Sequence, residues 1–171
     1  GLLVGLGLAY ARAASARSVV VDDDVSGALG APVLGRIPVR RKGEPALLAR
    51  GATGSTAEAF RQVRNNLQWL DNDRTPRVLV LTGAVAGDGP PDVAVNLGLA
   101  LADVGNRVAL VVADLRSQWN VDTVMAPADT GLSDVLAGRA QLDEVLRRYG
   151  DRDLWVLPPG TPPPDPGDVI A

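Results

Sequence analysis

The chain has 171 residues, 46% of them apolar, with a formal net charge of −3 and a pI near 4.9. That length suits about one domain with extensions, and the acidic balance excludes bulk affinity for nucleic acid. With no cysteine and no histidine, disulfides, thiol catalysis, the usual zinc sites and imidazole-based triads are excluded.

Residues 1–14, GLLVGLGLAYARAA, form an apolar run too short to span a bilayer by itself, which takes about 20 residues. Two readings stand side by side: the cytoplasmic end of a transmembrane helix, or an ordinary buried helix. Arg12 and Arg17, just after the run, fit the first by the positive-inside rule. Residues 15–55 read as a membrane-proximal segment and linker. Within them Val21 to Ile37 predicts a helix opened by three acidic residues and then a short strand. Val39 to Thr56 is polar and glycine-rich.

Residues 56–171 read as one α/β domain. Thr56 to Leu70 predicts a helix with Phe60, Val63, Leu67 and Leu70 on one stripe and Glu58, Arg61 and Arg64 opposite. VLVLT (78–82) predicts a buried strand, Asp92 to Val104 a helix with Val93, Leu97 and Leu101 inward, and RVALVVADL (107–115) a second buried strand. Short helices are expected at Leu132 to Leu136 and Leu142 to Tyr149, with a third strand at 154–160. Continuous apolar strands alternating with helices predict a parallel sheet covered on both faces.

Between the first strand and its helix stands GAVAGDGPPD. A phosphate loop needs inward-pointing N–H groups at a helix N-terminus, a lysine reaching the β- and γ-phosphates, and a hydroxyl on magnesium. Gly83, Gly87 and Gly89 keep the loop's flexibility, with Asp88 between the last two. Pro90 and Pro91 have no N–H, and the chain's one lysine is the distant Lys42. Asp92 adds an anion in the first turn, where it complements the helix dipole and repels a phosphate. A plain βα turn with prolines in its first helical turn would read the same way. Asp114 stands at the C-terminal mouth of the second strand, where ligands bind in open α/β sheets. It is a candidate magnesium or hydroxyl contact, or simply a loop carboxylate.

In sum the order of segments resembles the cytoplasmic part of the bacterial tyrosine kinases of the polysaccharide co-polymerase type. LGAPVLGRIP (29–38), EAFRQVRNNLQW (58–69), the long stretch 81–116, GLSDVLAG (131–138) and LPPGTPPPDPGDVI (157–170) carry the likeness. The family pattern has GEGKS or GEGKT where Gly87-Asp88-Gly89-Pro90-Pro91 stands. It has an aspartate at Val112, while Asp114 and Arg116 keep the rest of its second motif.

The resemblance implies a P-loop NTPase-like fold preceded by the end of a transmembrane helix, with a Walker B strand and a tyrosine-rich tail beyond Ile170. It also implies self-association into a ring through Glu58, Arg61 and Arg64, work with other polysaccharide-export proteins, and a place at the cytoplasmic face of the bacterial cell membrane. With lysine, hydroxyl and one carboxylate replaced, the expected function is that of a pseudokinase regulating polysaccharide chain length and export. No catalytic residue and no cofactor are then expected. If the site works, ATP and magnesium are its cofactors, Asp114 the metal contact and Arg116 the nearest substitute cation. Two other readings are an active tyrosine autokinase using such a non-standard loop, and a partitioning-type ATPase. The latter usually carries a signature lysine near Ala84 and Val85.

Overall fold

The computed structural model describes residues 22–39, 48–70, 78–84, 90–115 and 129–163. The apolar run at 1–14 lies outside them, as do Gly87, Asp88, Gly89 and Arg116. Among the described residues no helix is long and apolar enough to cross a membrane. The chain divides into two units, residues 1–34 and 35–171.

In the first unit, helix α1 (Asp22–Leu29) opens on its acidic residues, which suit the positive end of the helix dipole. It closes at Gly30, with φ +63 and its N–H on the Ser26 carbonyl at 2.9 Å. This is the left-handed stop that glycine adopts without strain. The short strand expected after it does not form. Residues 32–39 run without a ladder, bounded by Pro32 and Pro38, which cannot donate to one.

The second unit starts its regular structure with α2 (Ser55–Trp69). Ala57, Ala59, Phe60 and Leu67 are buried in it, while Leu70 beyond its end is exposed. Helix α3 (Pro90–Ala102) packs between α2 and the sheet. For that reason its apolar surface is broader than the expected Val93, Leu97 and Leu101 stripe. Val95 and Leu99 have no exposed surface, and Leu97, Ala100 and Ala102 are buried as well. A helix covered on two sides is apolar nearly all round.

The sheet has three strands in the order β1-β3-β2: β1 (Val108–Val111), β2 (Arg147–Arg148) and β3 (Leu154–Leu157). β1 and β3 are parallel, Val108 facing Leu154 and Val111 facing Leu157. Val95, Leu99, Ala102 and Leu154 form the core beneath α3, with Val108, Leu110 and Tyr149 packed around them. The side chains on this face alternate with Ala109 and Val111, which are exposed. The second strand is thus half-buried, not fully buried as its unbroken apolar run suggested.

Two expected elements differ. The run 78–82 is in no strand, and Val78 and Val80 are 82% and 89% exposed. An apolar run states what a segment would bury, but a ladder needs a neighbour, and none of the three strands is one for it. The helix expected at Leu142 to Tyr149 ends early. Helix α5 (Leu142–Val145) gives way at Leu146, whose backbone is extended. Arg147 and Arg148 then pair antiparallel with Val156 and Trp155. The turn between β2 and β3 uses Gly150 at φ +59 and closes with the Tyr149 N–H on the Leu154 carbonyl at 2.7 Å. Helix α4 (Leu132–Leu136) forms where expected.

Candidate functional site

The C-terminal mouth of the parallel strands is shaped by the exit of β1, the exit of β3 and the start of α3. Pro90 and Pro91 are the first two residues of α3. The first four N–H groups of a helix are those left free to meet an anion. At this helix only Asp92 and Val93 have them. Gly83 is half-buried on the approach to the loop, and Asp114 is exposed three residues beyond the end of β1, after the buried Val112. Among the described residues no group of three or more carboxylates could hold a metal ion.

The α2 arginines turn onto their own chain, where the helical pattern placed them on an outer face. Arg61 pairs with Glu58, its Nη2 lying 2.8 Å from Oε2, and its Nη1 donates to the Ala52 carbonyl at 2.9 Å. Arg64 reaches the neighbouring helix, donating through Nη1 to the Ala100 carbonyl at 3.2 Å, at the end of α3. It also donates to Asn65 Oδ1 at 3.0 Å. The structure therefore brings Glu58 and Arg61 together and sends Arg64 elsewhere. A guanidinium has enough reach to choose a carbonyl that helical periodicity does not show.

At the exit of β3, residues 158–161 are fastened to the first turn of α4. The Leu132 N–H donates to the Pro158 carbonyl at 2.8 Å and the Ser133 N–H to the Pro159 carbonyl at 3.0 Å. Ser133 Oγ donates to the Thr161 carbonyl at 2.8 Å. Asp134 closes the turn by accepting the Gly131 N–H at 3.0 Å, while Arg139 forks onto its other oxygen at 3.1 and 2.9 Å. Burial alone would push the Asp134 carboxyl up. The Arg139 and Gly131 hydrogen bonds, the Arg139 charge and the Thr161 backbone outweigh burial and hold it below the ordinary 3.8.

A carboxylate held below its unfolded value adds stability that is complete above that value and lost as pH falls through the folded one. Asp134→Asn is therefore expected to cost about 1–2 kcal/mol at pH 7. The gap to wild type should narrow below about pH 4. Urea titrations at pH 7 and pH 3 check this, and an equal gap at both pH values would refute it.

Sequence reasoning missed Asn96, Arg152 and the stretch they hold. Asn96 was visible in principle as the lone polar residue in VAVNLGLALA. It is 4% exposed, a burial that an amide tolerates only when hydrogen-bonded. Arg152 carried no such sign in its polar turn.

No family model matches the chain. It is 28% identical over 115 residues to the tyrosine-protein kinase YwqD of Bacillus subtilis, covering 67% of this chain and 48% of that protein. It is also 28% identical over 131 residues to the tyrosine-protein kinase Etk of Escherichia coli, covering 77% of this chain and 18% of that one. The solved kinase domain of Escherichia coli ETK superposes with a TM-score of 0.74 at 26% identity, over 84% of this chain and 62% of that chain. The fold is thus the P-loop-type α/β fold of bacterial tyrosine kinase domains. The chain is a relative of the bacterial tyrosine-protein kinases, and it spans less than half the length of these two.

Proposed function

We propose that this chain is the kinase-like part of a membrane-associated bacterial regulator of polysaccharide export, and that it acts by docking, not by phosphoryl transfer. The observation that carries the reading is the start of α3. Two of the four N–H groups that would face a phosphate are replaced by Pro90 and Pro91, and a phosphate loop's lysine and hydroxyl are missing at the same two positions. Asp92 supplies negative charge in the same turn. The residues present do not fit ATP with magnesium, and no reaction step is assigned to them. A role in setting polysaccharide chain length and a place at the cytoplasmic face of the membrane rest on the resemblance of the membrane-proximal segment 29–38.

Docking would use α2. Glu58, Arg61 and Arg64 hold one another and the local backbone in the single chain. A neighbouring subunit's carboxylates can take over the arginine forks, which favour bidentate pairing. Ring assembly then exchanges one set of charge-assisted hydrogen bonds for another.

Titration of the full chain with a fluorescent ATP analogue and magnesium tests the central statement. No saturable binding is expected up to about 1 mM, where an association free energy of only about −4 kcal/mol would already register. Micromolar affinity abolished by Asp114→Ala would refute it.

A further inference from the structure

The stretch at residues 48–52 is polar and without regular structure, yet one residue in it is gripped at both ends of its peptide unit. The Leu48 N–H donates to Asn96 Oδ1 at 2.8 Å. The Leu48 carbonyl accepts from Arg152 Nη1 at 3.1 Å. The two gripping side chains are 4% and 8% exposed, and they come from α3 and from the turn between β2 and β3. A turn at Ala52 (its N–H on the Ala49 carbonyl, 3.0 Å) and the Arg61 bond to the Ala52 carbonyl fix the other end against α2. The surface pair Arg50–Asp151 adds little, being exposed on both sides.

Buried polar groups used this way do not maximise stability, because apolar side chains of similar volume do as well or better. What they provide is position: one residue of the linker, in one register, at one place on the domain. The Asn96 end has a further feature. Its Nδ2 donates to the Asp92 carbonyl at 2.8 Å, so one amide group bridges the linker to the first turn of α3. The Arg152 end is braced in turn. Its Nε lies 2.9 Å from Asp103 Oδ1, just past the other end of the same helix. That pair is close but not aligned as a hydrogen bond, which leaves the guanidinium dependent on its Leu48 contact.

We propose that residues 48–52 form a strap whose engagement through Asn96 and Arg152 sets the order of the first turns of α3, beside the glycine loop. With the strap seated, Asn96 is satisfied on both its oxygen and its nitrogen and holds the Asp92 carbonyl in place. With the strap lifted, the buried Oδ1 loses its donor, and the amide must turn to find another. The Asp92 contact goes with it. A displacement of the chain where it enters residue 48 is thereby delivered to the helix start. The device goes beyond the docking role proposed above and operates whether or not the loop takes a nucleotide.

Amide exchange on the full chain tests this. Arg152→Met keeps the length and apolar packing of the side chain and touches neither Asn96 nor Asp92. It is expected to speed exchange about tenfold or more at residues 48–52 and also at residues 94–97, relative to β3. Faster exchange at 48–52 with 94–97 unchanged, or no change at either, would overturn the proposal. Should Arg152→Met fail to fold, Leu48→Pro carries the same two outcomes. It removes only the N–H that Asn96 accepts.

Discussion

Alanine at Gly131 is expected to lower the unfolding free energy by about 3 kcal/mol or more, the upper end of what overpacking costs. Gly131 has extended backbone, so its conformation is not the constraint. Space is the constraint. An added Cβ would collide with the Pro158 carbonyl and the Gly160 backbone, and backbone atoms cannot rotate away. The only relief is to separate α4 from the exit of β3, which breaks the Leu132 and Ser133 hydrogen bonds to Pro158 and Pro159. Alanine at Gly138 is the control. Its φ of +68 carries conformational strain, but open space surrounds it, so it should cost only about 1 kcal/mol. Denaturant titration of the two variants checks the ordering. Equal losses would mean that the β3 exit is not pressed onto α4 in solution.

The same contact shows what could and could not be read from letters alone. GLSDVLAG and LPPG were both visible as turn-rich segments, and the α4 helix was legible from its apolar spacing. Nothing in either segment said that they meet, because a glycine needed for close approach looks like a glycine needed for a bend. The parallel pairing of β1 with β3 followed from unbroken apolar strands linked through helices. The pairing of Arg147 and Arg148 did not. Two arginines after an amphipathic turn suggest more helix, and only the Gly150 turn and the partner residues on β3 make them a strand. The run 78–82 failed in the opposite sense. Its composition is that of a buried strand, while its exposure depends on which strands lie beside it. On α2, Phe60 and Leu67 were legible as core. The Arg64 contact with Ala100 was not, since it depends on how two helices lie against each other. The dismantled phosphate loop was the clearest signal of all, because missing donors and a missing cation are properties of residue type.

Restoring those residue types is expected to have the largest effect on binding. The double variant Pro90→Lys, Pro91→Ser returns two backbone donors, one cation and one hydroxyl to the first turn of α3 in a single step. Hydrogen bonds to a charged partner are worth about 1.5–3 kcal/mol each. Two such gains, less the cost of ordering a lysine side chain, should tighten ATP–magnesium binding by about 100-fold. Helix α3 should tolerate the change, because its core contacts begin at Val95, beyond the substituted turn. Asp92 still opposes the anion, so Asp92→Asn added to the pair should tighten binding again by a few-fold, more at low salt than at high. Val112 limits the recovery, since the carboxylate that the family pattern places there is not restored and metal-dependent turnover should stay absent. Titrating wild type, the double variant and the triple variant side by side separates the contributions. If the double variant binds no better than wild type, the prolines are not what keeps ATP out, and the opening of α3 is only a turn.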